Sequence, residues 1–129
     1  MSAGEGPEPT VRPGEAALRP VMAAIRQYSK IPVAMQIAHA GRKASSHLPW
    51  DGGQLIPPSQ GGWVPFAPSA VEQKPGEAPP RALDKAGMVR IRNAFVETAR
   101  RAIRLGIDVI ELHGAHGYLM HEFLSPIAN

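Results

Sequence analysis

Two short apolar runs, Ile31-Pro-Val-Ala-Met-Gln-Ile37 and Ile107-Asp-Val-Ile-Glu-Leu112, each end abruptly in a polar cluster, and this repeated pattern constrains the fold more than any other feature. A short run with so little polar alternation reads as a strand buried on both faces, the situation of strands in a parallel sheet. Helical periodicity precedes each run. From about Glu15, the residues Leu18, Val21, Ile25 and Tyr28 recur at steps of three and four, which predicts an amphipathic helix ending near Lys30. Pro20 fits that helix only if it lies in the first turn. Before the second run, Asp84 is placed to cap a helix whose apolar face is Met88, Ile91, Phe95, Ala99 and Ala102, with Gly106 at its C-terminal cap. The order helix, strand, long loop, helix, strand predicts βα units with parallel strands, an α/β fold. Leu119 to Leu124 reads as a short closing helical turn ahead of Ser125-Pro126.

Between the two units, residues 45–81 carry Gly52-Gly53, Pro57-Pro58, Gly61-Gly62 and Pro79-Pro80 and keep no period of either kind. A loop of this length inside a domain is functional or disordered. Trp50, Trp63 and Phe66 argue for partial order, because such large aromatic side chains tend to be buried. Residues 1–14, rich in Gly, Pro and Glu, read as a disordered lead-in.

Charge and composition remove several classes. The net charge is +3, but the arginines are scattered along helices without an aromatic-interleaved stripe, so they read as solvated faces and not as a nucleic-acid surface. With no cysteine, the chain has neither a disulfide framework nor thiolate chemistry, which suits a reducing cytoplasm. No apolar run is long enough to span a membrane, and the first residues lack the pattern of a signal peptide.

The polar ends of the two strands hold the chemistry. Glu111-Leu-His-Gly-Ala-His-Gly-Tyr-Leu-Met-His-Glu122 has three histidines, two carboxylates and a tyrosine in twelve residues. His113 and His116, three apart and flanked by glycines that permit close approach of a ligand, are suited to metal ligation, proton exchange or donation to a substrate oxygen. Glu111 is as well placed for a structural ion pair as for catalysis, and His121 and Glu122 read as packing or surface residues. At the end of the first strand, Gln36-Ile-Ala-His-Ala-Gly-Arg-Lys-Ala44 places an amide in an apolar strand. A buried amide needs a partner, since leaving it unpaired costs about 1–3 kcal/mol; a cofactor edge or a backbone group would serve equally. Arg42 and Lys43 suit an anionic group or ordinary ion pairs.

At these two clusters the chain resembles the Old Yellow Enzyme family of NAD(P)H-dependent flavin oxidoreductases, especially its bacterial xenobiotic-reductase-like branch. The matching stretches are Gln36-Ile-Ala-His-Ala-Gly-Arg-Lys-Ala-Ser45, Pro49-Trp-Asp-Gly-Gly53, Ala67-Pro-Ser-Ala70, Pro80-Arg-Ala82 and Asp108 through Pro126. The resemblance implies a partial (β/α)8 TIM barrel over residues 15–129, covering about its third and fourth strands. It implies FMN as cofactor, NADPH or NADH as reductant, and α,β-unsaturated carbonyl or related xenobiotic substrates. In these terms Gln36 meets the flavin's pyrimidine edge, and His113, Gly114, Ala115 and His116 bind substrate. The two histidines donate to its carbonyl oxygen, and Tyr118 supplies the proton. The family stretches that supply a flavin-contacting arginine and phosphate-binding backbone have no counterpart here, so the expectation is an internal portion of a longer enzyme, cytoplasmic and homo-oligomeric only when whole. Two alternatives stay open: a metal-dependent (β/α)-barrel hydrolase using His113, His116 and a carboxylate, and a non-catalytic fragment.

Overall fold

The computed structural model describes residues 12–129. The expected lead-in, residues 1–14, therefore falls mostly outside the described residues, and its last three residues belong to a helix. Helix α1 spans Arg12–Tyr28, strand β1 Ala34–Ile37, short strands β2 Phe66–Ala67 and β3 Arg81–Ala82, helix α2 Lys85–Arg104, strand β4 Val109–Leu112 and helix α3 Leu119–Leu124. The chain divides into two units: one comprises residues up to Ile37 together with Val89–Leu112, the other Ala38–Met88 together with His113–Asn129.

In the first unit β1 and β4 pair in parallel, with Ala34 opposite Val109 and Gln36 opposite Glu111, as the alternation of elements predicts. The core is Met22, Ala102 and Ile107, joined by Ile25, Val33, Met35, Leu105 and Ile110. Burial corrects three expectations here. The buried stripe of α1 runs through Met22 (7% exposed) and half-buried Ile25, whereas Val21 and Tyr28 lie open, Tyr28 at 84%. Pro20 sits inside the helix, well past its first turn; it is on the exposed side, where the carbonyl left without an N–H donor meets water. The strands are covered on one face only: Met35, Ile37 and Ile110 are covered, while Val109 and Leu112 are more than half exposed. A two-stranded sheet offers its second face nothing to pack against.

The first strand is also shorter than its apolar run: residues 31–33 bond largely to side chains, with the Val33 carbonyl alone also accepting from the Asp108 and Val109 N–H groups at 3.0 and 3.3 Å. Arg26 donates to the carbonyls of Ile31 (2.6 Å) and Gly106 (2.9 Å). Asp108 Oδ2 accepts from the Val33 N–H (2.8 Å) and also pairs with Arg26. Glu15 ties α1 to α2 through Arg104 at 3.0 Å.

Helix α2 follows its sequence signals at both ends. Asp84 Oδ1 accepts the N–H of Gly87 at 2.6 Å, the bond of an N-cap to the third helical residue. At the other end Gly106, with φ 79, donates to Ile103 O (3.0 Å), and Ile107 N–H reaches back to Ala102 O (3.1 Å). This is the paired bonding of a Schellman motif, which needs a left-handed residue between. Among the described residues no helix is long and apolar enough to cross a membrane.

In the second unit the long loop is ordered. It carries short 3-10 turns at Pro49–Asp51 and Pro58–Gln60 and a bridge between Ser46 and Leu55. Strands β2 and β3 pair in parallel, and the Arg81 guanidinium lies over the Phe66 ring. The two tryptophans do not supply the order expected of them, since Trp50 is 79% exposed and Trp63 48%. A side-chain hydroxyl bridging the backbone does it instead: buried Ser45 donates through Oγ to Ile56 O and accepts from the Trp63 N–H, both at 2.9 Å.

Candidate active site

The turn that follows β4 in the chain brings three of the singled-out side chains together. Tyr118 N–H donates to Ala115 O at 3.0 Å, and both central residues of this turn have positive φ, His116 at 57° and Gly117 at 69°. A histidine in the left-handed region is strained by roughly 1–3 kcal/mol, a cost that clusters at functional sites. The turn sets the His113 and His116 rings perpendicular with centroids 5.1 Å apart, and the Tyr118 ring 4.7 Å from His113. Ala115 N–H donates to His113 Nδ1 at 3.2 Å, and His113 Nε2 lies 3.3 Å from His116 Nδ1. With both rings neutral, this bonding puts the His113 proton on Nε2, where it donates a hydrogen bond to His116 Nδ1, and leaves Nε2–H of His116 as the free donor.

Three contacts hold this turn. Lys43 Nζ donates to the His116 carbonyl at 2.6 Å, Leu119 N–H donates to His39 O at 3.0 Å, and Gly117 N–H donates to His121 Nδ1 at 2.8 Å. Lys43 is itself positioned from below. Glu122, fully buried, accepts the Arg42 N–H through Oε1 at 2.9 Å, while its Oε2 has no partner. Burial pushes the Glu122 carboxyl above its ordinary range, against the opposing pull of the Arg42 N–H. Gly41, at φ 61, lets the backbone pass directly beneath the carboxylate, and a Cβ there would overlap it. His39 is pushed below the ordinary imidazole range by burial, and its Nδ1 accepts from the Gly41 N–H at 3.0 Å, so it serves as a neutral structural residue. Glu122 is thus more than a packing residue, and no local sequence signal marks it, because its partner lies 80 positions away.

His116 and Tyr118 line a cavity of about 460 Å³ together with Lys43 and residues of the long loop, including His47, Gln73 and Lys74. Gly114 and Ala115 are exposed on the rim of the same turn. Gln36 belongs to the other unit. Its amide is exposed and makes no hydrogen bond with the described residues, so the burial cost expected of it does not arise; it sits on the open face of β1. Glu111, its neighbour in register, is likewise exposed and forms no ion pair among the described residues. No three His, Cys, Asp or Glu among the described residues converge as metal ligands would.

The fold and these motifs define a flavin oxidoreductase scaffold: the chain belongs to the NADH:flavin oxidoreductase / NADH oxidase family, which it matches over residues 15–129. It is 46% identical over 101 residues to an NADH:flavin oxidoreductase of Gibberella zeae, covering 75% of this chain and 24% of that protein. To the NADPH dehydrogenase of Geobacillus thermodenitrificans it is 42% identical over 97 residues, again 75% of this chain and 24% of the relative. The chain therefore spans about a quarter of the curated relatives it matches. Among solved structures it is similar to morphinone reductase, with a TM-score of 0.68 and 26% identity over 89% of this chain and 32% of that one. It is also similar to histamine dehydrogenase from Rhizobium sp. 4-9, with a TM-score of 0.65 and 30% identity over 89% of this chain and 16% of that one. The resemblance to the Old Yellow Enzyme family is borne out, and the α/β units correspond to about a third of its TIM barrel. The metal-dependent hydrolase gains no support from these matches.

Proposed function

We propose that this chain carries the substrate-polarising and proton-donating part of an FMN-dependent ene-reductase acting on α,β-unsaturated carbonyl compounds. The observation that carries the reading is the His113–His116–Tyr118 cluster, in which the tautomer leaves one imidazole N–H free beside a phenol. A substrate carbonyl oxygen that accepts from His116 Nε2–H is stabilised as negative charge develops on it, an oxyanion effect worth roughly 3–4 kcal/mol in enzymes where one such donor has been removed. His113 engages the other nitrogen of that ring at 3.3 Å, and the left-handed backbone at His116 turns the ring toward it. Tyr118, through its phenolic O–H, gives a proton to the α-carbon. FMN, when bound, supplies the hydride chemistry, drawing on NADPH or NADH. The exposed, unpartnered Gln36 amide at the end of β1 has the donor and acceptor that the pyrimidine edge of a flavin would take.

The test is to titrate the purified chain with FMN, follow the visible spectrum on adding a phenol, and then measure reduction of a simple enone. Retention of flavin with a phenol-dependent band supports the reading. Tyr118→Phe is expected to lower turnover about 10²–10⁴-fold while phenol binding persists. Wild-type turnover in Tyr118→Phe, or a His116→Ala variant that binds phenol unchanged, sinks it.

A further inference from the structure

We propose that the cavity at His116 and Tyr118 takes ligands bearing an anionic group, a carboxylate or a phosphate, which Lys43 and Lys74 hold. The inference rests on the ene-reductase reading for the neutral end of the ligand and adds the chemistry of its other end.

The cavity, about 460 Å³, is large enough for a small organic ligand. Its lining carries the ammonium groups of Lys43 and Lys74, and no carboxylate among the described residues lines it. Both ammonium groups are anchored. Lys43 Nζ donates to His116 O and Lys74 Nζ to Gly52 O, so each spends one of its three N–H groups on backbone and keeps the others for a ligand. Neither is paired with an acid among the described residues.

The glutamates of the loop are committed to backbone: Glu77 accepts the Leu55 N–H (2.9 Å) and Glu72 the Gly76 N–H (3.2 Å). The lysines are half-buried, and charges so placed are screened less than those in open solvent. Anchoring also reduces the side-chain entropy lost when a ligand binds. Gln73 adds an amide donor on the same lining. A neutral ligand would satisfy His116 and Tyr118 and leave this charge unused. The anion belongs either to the unsaturated substrate or to a phosphate of the nicotinamide reductant.

Calorimetry on the FMN-loaded full chain separates these ideas, with 4-hydroxybenzoate and its neutral analogue 4-hydroxybenzamide as probes. The acid is expected to bind about ten-fold more tightly than the amide, the scale of one charge-assisted hydrogen bond. Lys74→Met should abolish that preference with the amide's affinity unchanged, and Lys74→Arg should keep it. A preference for adenosine 2′,5′-bisphosphate over adenosine 5′-monophosphate that is lost in the same variant would place the anion on the reductant. Loss confined to the hydroxybenzoate would place it on the substrate. Equal affinity for acid and amide, or a preference untouched by Lys74→Met, overturns the inference while amide binding leaves the ene-reductase reading standing. Binding of neither phenol overturns both.

Discussion

The two units hold their polar networks in opposite ways. In the unit built on β1 and β4, Asp108 is exposed and meets several donors: the Val33 N–H first, then Arg26, hold its carboxyl below the ordinary range. In the unit that carries the histidine pair, Glu122 is sealed from solvent with one oxygen bonded and the other unpaired. The first arrangement gains little from any one bond, because water replaces a lost partner. The second is close-packed around a charge or its protonated form, and disturbing it leaves buried groups without partners. The comparison teaches that the strand pair rests on solvated, redundant clamps, whereas the unit bearing His116 includes a buried latch at Glu122.

Two glycines at positive φ sharpen this contrast. Gly41→Ala, which drives a methyl group into Glu122, is expected to destabilise by about 3 kcal/mol, from overpacking together with left-handed strain. Gly106→Ala, where nothing lies within 4 Å of the new Cβ, should cost only about 1 kcal/mol from its φ of 79. Urea denaturation measures both, and equal losses would remove the distinction between latch and clamp.

The smallest effect is in pH. Glu122 is raised from an ordinary value of 4.5, so its contribution is fully present below that value and is lost as pH rises through the raised one. Asp108 is lowered from 3.8, so its contribution is present above that value and is lost as pH falls through the lowered one. Thermal midpoints across pH should therefore lose the decline that sets in as pH rises above 4.5 in Glu122→Gln and the decline that sets in as pH falls below 3.8 in Asp108→Asn. A Glu122→Gln profile parallel to the parent would show that the carboxylate is solvated after all.

Local rules made much of the fold legible. Asp84 and Gly106 mark the ends of α2 because a cap is satisfied within a few residues of itself, and β4, α3 and the parallel pairing follow from length and order. The α1 stripe differs from the one its spacing predicts because Val21 and Met22 are both apolar, and only the partners Ala102 and Ile107 decide which one turns inward. The tryptophans and Gln36 went the same way: an apolar neighbourhood in sequence says nothing of a face that has no covering layer. At the site, the density and spacing of His113, His116 and Tyr118 sufficed to single them out. The roles of Lys43 and Glu122 did not show, since their partners lie 73 and 80 residues away, and the ring contacts and left-handed backbone at His116, though local, are a matter of turn geometry that spacing does not encode. By itself, then, the sequence determined the alternation of strands and helices, the caps and the clustering of polar residues after the strands, all set by short-range periodicity and bonding. Tertiary structure alone decided which faces are buried and which donor is free, because those depend on groups that only the folded chain brings within hydrogen-bonding distance.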